Sequence, residues 1–247
     1  MFIGPAGSGK TTLVAAFYEW LLDNTDLRVK LVNLDPGVEY LPYEPDFDIR
    51  SIFTLRDIMR KEKLGPNGAM IRASESMVEL SDEICRKINE LKSDFTLIDT
   101  PGQMEVFVYR PTGPILVEKL SKGKPTYTVF LVDSSFASSP SSFIGVWLSS
   151  ITVRLRLGAP NYIVVTKSDL ETRVDVKRLL YDEKYVLEEL RREEMGEASE
   201  LAWRSWQLLK DFQPALRMVR VSATRKIGLE ELYDILHEMK CVCGDMT

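Results

Sequence analysis

The run GPAGSGKT at residues 4–11 constrains the fold of this chain more than any other feature of the sequence. It fits the pattern G-x-x-x-x-G-K-[ST], which requires a loop between a buried strand and the start of a helix. That context is present, because the apolar pair Phe2-Ile3 precedes the run and a helical pattern at about 10–24 follows it. Glycines let backbone N–H groups converge, and the helix N-terminus adds positive potential, so the run predicts a phosphate-binding loop.

Consecutive residues of this loop are expected to make the phosphate contacts. Lys10 would reach the β- and γ-phosphates of a nucleotide, and the Thr11 hydroxyl would bind Mg²⁺. The other predicted nucleotide-binding residues of this segment are Gly7, Ser8, Gly9 and Thr12. Only three residues precede Gly4, so the first strand is predicted to be very short.

Strand-length apolar runs alternate with helical patterns along the rest of the chain. The apolar runs are 29–34, 95–98, 127–132, 161–165 and 218–221, and the helical patterns are about 74–93, 112–121, 140–157, 175–212 and 227–240. This alternation predicts an α/β fold with a mostly parallel sheet and helices on both faces, as in P-loop nucleotide hydrolases. No repeat or linker is visible, so we interpret residues 1–247 as a single domain.

Two segments depart from the alternation. The first, about 36–73, contains four prolines and is predicted to be a loop-rich insertion. The second, about 171–212, is predicted to be a charged helical insertion with an aromatic cluster that includes Trp203, Trp206 and Phe212. Insertions of this length in a compact domain usually serve function or interaction. We interpret the aromatic side chains as core, with a groove for a protein client as the alternative.

Composition narrows the possible partners. The net charge of −5 gives no electrostatic reason to expect direct contact with nucleic acid. No apolar run approaches the ~20 residues that a membrane-spanning helix needs, and no signal peptide is recognised. Three cysteines do not describe a disulfide framework and fit a reducing compartment. We therefore expect a cytoplasmic protein with no membrane partner.

The run DTPGQ at residues 99–103 follows an apolar strand pattern. Asp99, at the end of that strand, is placed to hold the water shell of Mg²⁺. The Gly102 amide is placed to sense a γ-phosphate, and Gln103 to orient the attacking water. Asp35 follows the second strand and faces the same edge of the sheet, so it is another candidate for holding that water. The alternative for Asp35 is a turn or helix-capping aspartate.

The tripeptide Lys-Ser-Asp occurs twice, at 92–94 and at 167–169. The first copy precedes a strand and would lie at the wrong edge of the sheet. The second follows the strand pattern 161–165, and ligands of such sheets bind at the carboxyl ends of the strands. The second copy is therefore the predicted guanine-recognition motif.

In this motif, which reads Thr166-Lys167-Ser168-Asp169, each residue type has a task. The Asp169 carboxylate would accept hydrogen bonds from the N1 and N2 hydrogens of guanine, and the aliphatic part of Lys167 would stack on the base. Ser222 and Ala223 follow the last strand pattern and resemble the Ser-Ala loop of GTPases, whose backbone contacts the guanine oxygen.

With these motifs in this order, the sequence resembles the GPN-loop GTPases. That family is named for an inserted Gly-Pro-Asn, present here at 65–67, and its flanking patterns recur as NLDP at 33–36, PY at 42–43 and DTPGQME at 99–105. The resemblance spans essentially the whole chain, and the compact length is similar to that of archaeal members. In isolation, 65–68 would be interpreted as a β-turn with proline second and asparagine third.

The resemblance implies that GTP is hydrolysed to GDP and phosphate in a Mg²⁺-dependent, constitutive homodimer. It implies that Asn67 of one subunit meets the phosphate region of the other, and that Asp35, Gln103 and Glu105 are the candidates for holding the attacking water. It also implies an assembly or targeting switch with a protein client, since eukaryotic relatives are linked to RNA polymerase assembly. Two alternatives stay open: a P-loop kinase of a small molecule or nucleotide, and an assembly factor for which hydrolysis is only a timer.

Overall fold

The computed structural model describes residues 1–170, 172–194, 196–212 and 218–244, with only the backbone described at residue 212 and at residues 239–244. Within these residues the strands are β1 (Phe2–Ile3), β2 (Val29–Asn33), β3 (Phe47–Asp48), β4 (Phe95–Asp99), β5 (Thr128–Asp133), β6 (Asn161–Thr166) and β7 (Met218–Arg220). They form one parallel sheet in the order β3-β2-β4-β1-β5-β6-β7.

The sheet is covered on both faces. All six residues of β6 are buried, as are the first five of β5, and a hydrophobic cluster lies on each side of the sheet. Strands that are buried on both faces appear in the sequence as continuous apolar runs. For this reason most of the predicted strand boundaries lie within one residue of the observed ones. The predicted α/β fold with a parallel sheet and helices on both faces is confirmed. The strand β3 was not predicted, because two residues are too short for a detectable pattern.

The described helices begin with α1 (Lys10–Asn24), α2 (Leu55–Glu62), α3 (Pro66–Glu79), α4 (Ser81–Glu90), α5 (Met104–Val108) and α6 (Thr112–Ser121). They continue with α7 (Pro140–Leu157), α8 (Val176–Tyr181), α9 (Glu183–Arg192), α10 (Glu197–Phe212) and α11 (Leu229–Gly244). The boundaries of α1, α6 and α7 agree with the predicted helices.

Two predictions about residues 36–93 are wrong. The segment 36–73 is not loop-rich throughout, because it contains β3, α2 and the first turns of α3. The predicted helix 74–93 is two helices, because α3 ends at Glu79 and α4 begins at Ser81. The start of α2 carried an overlooked signal: the Thr54 hydroxyl accepts from the Asp57 N–H at 3.1 Å and donates to its carboxylate at 2.6 Å. This reciprocal pair is a capping arrangement that stabilises a helix start.

The second insertion forms three helices, α8 to α10, where one continuous pattern was predicted. Trp206 is fully buried, and its indole N–H donates to the Leu179 carbonyl at 2.6 Å. Trp203 stacks on Trp206 with ring centroids 5.3 Å apart, so these two aromatics contribute to the core as predicted. The side chain of Phe212 lies outside the described residues. No helix in the described parts of the chain combines the length and the apolar composition that crossing a bilayer requires.

Candidate functional site

The predicted motifs meet at one edge of the sheet. Because every strand is parallel, the carboxyl ends of the strands lie on the same side, and a predicted motif follows β1, β2, β4, β6 and β7 there. β1 lies in the middle of the sheet, between β4 and β5, which places the phosphate loop between the hydrolysis motifs and the base-recognition motifs. This is the edge at which open α/β sheets bind their ligands.

The phosphate loop adopts a conformation that only glycines accommodate without strain. Gly7 and Gly9 have φ values of 76° and 85°, in the left-handed region. A Cβ atom on Gly4 would lie 2.7 Å from the carbonyl oxygen of Leu131, so any larger residue would displace the loop from β5. The loop therefore presents its backbone at the N-terminus of α1, as the motif predicts.

The Lys10 ammonium is held inside the loop. Its Nζ donates to the carbonyl oxygens of Gly4 at 2.8 Å, Pro5 at 2.9 Å and Gly102 at 3.3 Å, and the residue is only 6% exposed. Burial lowers the pKa of Lys10, and the charge of Asp99 opposes that shift. The three present acceptors of this partly desolvated ammonium are neutral. Charged phosphate oxygens in their place would form stronger hydrogen bonds with it, because charge-assisted hydrogen bonds are stronger than those to neutral acceptors.

Asp99 lies at the end of β4 and is almost completely buried, at 1% exposure. Burial raises its pKa to about 6, while hydrogen bonds from Thr11 and Tyr43 act in the opposite direction. One oxygen, Oδ2, accepts from the Tyr43 hydroxyl at 3.0 Å, whereas Oδ1 is buried without a hydrogen-bond partner among the described residues. A buried free carboxylate oxygen beside a threonine hydroxyl provides the hard oxygen donors that Mg²⁺ and its bound waters prefer, so Thr11 and Asp99 fit this ion.

The structure assigns Asp35 two contacts at once. Its Oδ1 accepts from the Gly37 N–H at 2.8 Å, which is the predicted turn role. Its Oδ2 accepts from the Gly102 N–H, also at 2.8 Å. The amide predicted to sense a γ-phosphate is therefore bonded to the carboxylate predicted to hold water.

A cavity of about 300 Å³ adjoins these groups. Asp35, Gly102 and Gln103 line one side, and residues of α3 and α5 line the other. Gln103 precedes α5 and Glu105 lies in its first turn, and both side chains are exposed. The structure thus brings Asp35 and Gln103 to one cavity next to the phosphate loop, with Glu105 exposed on the adjoining helical turn.

The base-recognition motif is tied directly to the phosphate loop. The buried Thr166 hydroxyl donates to the Ser8 carbonyl at 2.8 Å. Lys167 has a left-handed backbone, with φ at 56°, and its ammonium forms an ion pair with Asp133 at the end of β5. Burial disfavours the charge on Asp133, yet the hydrogen bond from Lys167 keeps the pKa of that carboxyl below its ordinary value.

Asp169 lies within reach of the loop that follows β7. A hydrogen bond with Ser222 is the largest cause of the lowered pKa of Asp169, and the Arg225 guanidinium lies 3.9 Å away. A cavity of about 280 Å³ opens here, and its lining residues are Gly9, Thr12, Leu13, Thr166, Lys167, Asp169, Leu170, Val221, Ala223 and Thr224. The rejected copy of the motif is far from this edge: Asp94 pairs with Arg28, whose backbone N–H donates to the carboxylate at 2.9 Å.

Asn67 is not brought to the site of its own chain. Gly65 caps α3, Pro66 is its first residue and Asn67 its second, so the tripeptide opens a helix and is not an isolated β-turn. Pro at this position is favourable because its missing N–H is not needed there. Asn67 is exposed and is not among the residues that line either cavity.

Sequence reasoning missed two contributors. Asp133 ends an apolar strand in the same way as Asp99, and this signal was available. Tyr43 reaches Asp99 across 56 positions of sequence, and no local pattern indicates that contact.

Comparisons with known proteins agree with this geometry. A family model described as a conserved hypothetical ATP binding protein matches residues 2–242. The chain is 35% identical to the GPN-loop GTPase PAB0955 of Pyrococcus abyssi over 100% of this chain and 99% of the relative. Its fold matches the crystal structure of PAB0955, a GTPase in apo form, with a TM-score of 0.86 and 34% identity over 98% of this chain and 97% of that one.

Eukaryotic relatives match over a smaller share of their own length. GPN-loop GTPase 3 of Aspergillus fumigatus is 33% identical over 73% of this chain and 64% of the relative. GPN-loop GTPase 1 of Dictyostelium discoideum is 30% identical over 94% of this chain and 59% of the relative. Together with the full-length match to the Pyrococcus protein, these identities establish that the chain belongs to the GPN-loop GTPase family.

Proposed function

We propose that this protein binds GTP and hydrolyses it to GDP and phosphate as a Mg²⁺-dependent homodimer that acts as an assembly or targeting switch. Membership of the family makes it a GTP hydrolase. The observation that carries the proposal for this chain is the cavity that holds Lys167, Asp169 and Ala223 and shares Gly9 and Thr12 with the phosphate loop.

Guanine selectivity would come from Asp169. Its lowered pKa keeps the carboxylate ionised, so both oxygens are acceptors. Guanine offers two adjacent N–H donors at N1 and N2, whereas the corresponding edge of adenine has an unprotonated N1. A site that holds a carboxylate there rejects adenine because the acceptors would be left unpaired. This argument favours GTP over the ATP named in the description of the matching family model.

Phosphate binding would replace contacts that the chain now makes with itself. Lys10 would exchange its three carbonyl acceptors for β- and γ-phosphate oxygens. Thr11 and the free Oδ1 of Asp99 would hold Mg²⁺, which neutralises charge on the phosphates in reactions of this kind.

The bond between Asp35 and Gly102 suggests how hydrolysis is linked to the γ-phosphate. If the γ-phosphate takes the Gly102 N–H, the Oδ2 atom of Asp35 loses its partner and becomes available to a water molecule. Gln103 lines the same cavity, and Glu105 lies two residues further on, in the first turn of α5. We infer that these three side chains together orient the attacking water, which breaks the bond from the γ-phosphorus to its bridging oxygen.

Hydrogen bonds connect α3 to the two helices that follow the hydrolysis motif. The Ser74 hydroxyl on α3 donates to the Val106 carbonyl on α5 at 3.3 Å, and the Thr112 hydroxyl donates to the Ser74 carbonyl at 2.9 Å. A movement of residues 102–108 would therefore be passed to α3, whose second residue is Asn67. In a two-fold dimer, each exposed Asn67 would be presented to the phosphate region of the partner subunit.

Binding and turnover of GTP and ATP, each measured with Mg²⁺ and with EDTA, test the proposal, with the solution mass recorded on the same sample. We expect selective GTP binding, Mg²⁺-dependent turnover and the mass of a dimer. Equal affinity for ATP and GTP would contradict the role of Asp169, and turnover in EDTA would contradict the role of the metal. A monomer with full activity would contradict the dimeric arrangement.

A further inference from the structure

Tyr43 connects the first insertion to the phosphate end of the site. It lies in the segment between β2 and β3, and its ring is half-buried against the hydrophobic cluster that includes α1. Its hydroxyl donates to Oδ2 of Asp99 at 3.0 Å.

The two oxygens of Asp99 are therefore not equivalent. Oδ2 has a fixed donor, whereas Oδ1 is buried and without a partner among the described residues. Because the hydrogen bond from Tyr43 fixes Oδ2, the carboxylate cannot easily turn to bring Oδ1 into a hydrogen bond with another group of the protein. Such outer contacts fix the orientation of groups that bind metals and raise the affinity of the site.

We propose that Tyr43 is a positioning residue for Mg²⁺: its hydroxyl holds the Asp99 carboxylate at Oδ2 and so leaves Oδ1 available to the cation that Thr11 and Asp99 would hold. The inference rests on the Mg²⁺ dependence proposed above. It makes part of the first insertion a component of the metal site, through a residue that does not itself touch the metal or the nucleotide.

The alternative is that Tyr43 only fills space, and the substitution Tyr43→Phe separates the two roles. Phenylalanine keeps the ring and its packing but removes the hydrogen bond. Tyr40 provides a matched control, because it lies in the same segment and is 79% exposed. Tyr40→Phe makes the same chemical change away from Asp99.

The measurement is the release rate of a fluorescent GDP analogue as a function of Mg²⁺ concentration, which does not depend on turnover. In wild type and in Tyr40→Phe, we expect Mg²⁺ to slow release with the same midpoint. In Tyr43→Phe we expect the midpoint to rise about tenfold, which is the lower end of the effect of losing an outer contact of a metal site. Release in EDTA should be the same in all three proteins.

Two results would overturn the inference while the proposed function stands. One is an unchanged Mg²⁺ midpoint in Tyr43→Phe. The other is an equal acceleration of release by Tyr43→Phe with and without Mg²⁺, which would indicate loss of packing. If Mg²⁺ has no effect on release from the wild-type protein, the metal part of the proposed function fails, and the role of Tyr43 fails with it.

Discussion

The two sides of the nucleotide site differ in how far one chain completes them. On the base side, Thr166 bonds to the phosphate loop, Lys167 pairs with Asp133, and Asp169 is within reach of Ser222. On the hydrolysis side, Asp35 bonds to Gly102, and Asn67 is exposed. The contacts of the proposed base side thus form within one chain, whereas we propose that the hydrolysis side is completed by rearrangement and by dimer formation.

The difference follows from where the residues lie. The base-side residues follow directly after buried strands, so the sheet determines their positions. The hydrolysis-side residues belong to a turn, a five-residue helix and the first turn of α3. In these elements the side chains of Gln103, Glu105 and Asn67 are exposed, so we expect them to move at a lower free-energy cost than side chains fixed by buried strands. We therefore expect substitutions on the base side to reduce affinity, and substitutions on the hydrolysis side to reduce kcat.

The largest loss of GTP affinity is expected for Lys10, which lies between the base side and the hydrolysis side. Lys10→Ala should weaken GTP binding about a thousandfold, because it removes the ammonium that would pair with buried phosphate oxygens. Titration calorimetry checks this, with Lys122→Ala as the control, since Lys122 forms only an exposed pair with Glu118. GTP binding of ordinary strength in Lys10→Ala would show that the phosphates lie elsewhere.

The next effect concerns the base side alone. Asp169→Asn should lower GTP affinity about a hundredfold, because Asn offers guanine only one, uncharged acceptor and turns an NH2 donor toward the other guanine N–H. The same variant should gain affinity for xanthosine triphosphate, because xanthine has a carbonyl oxygen in place of the 2-amino group of guanine, and the Asn NH2 group can donate to it. Asp94→Asn, in the other Lys-Ser-Asp copy, should change neither. A parallel loss for both variants would mean that base recognition was assigned wrongly.

On the hydrolysis side, smaller effects on turnover are expected because three side chains share one task. Asp35→Asn, Gln103→Ala and Glu105→Ala should each lower kcat roughly tenfold, less than the ~100-fold or more that one acid–base group contributes, because the other two side chains remain in place. Dissociation constants for GTP should change little. Single-turnover hydrolysis checks this, with exposed Asp23→Asn as the control. Ordinary turnover in all three variants would remove them from the mechanism.

The features that could be predicted from the sequence are those with a local sequence pattern. The parallel sheet, the phosphate loop and the Thr166–Asp169 motif were predictable because strand ends and motifs are local patterns. The start of α3 at Pro66 was not predicted, since the tripeptide also fits a turn. The contact of Tyr43 with Asp99 was not predicted, because it is made by tertiary packing alone. The role of Asn67 remains a prediction, because its expected partner belongs to a second chain.

The central claim is that each hydrolytic site is completed by the partner subunit. Asn67→Ala alone should lower kcat about a hundredfold, the effect of losing one preorganised donor, with GTP affinity nearly unchanged. The decisive measurement mixes equal amounts of Asn67→Ala and Lys10→Ala proteins and follows GTP hydrolysis after subunit exchange. In a mixed dimer, the intact phosphate loop of the Asn67→Ala chain faces the intact Asn67 of the other chain.

With random exchange, half of the dimers are mixed and each has one complete site, so turnover should recover to roughly a quarter of wild type. Exchange itself is verified by mass spectrometry of differently tagged subunits. Recovery of this size is the result that the trans arrangement predicts. No recovery despite verified exchange would contradict it.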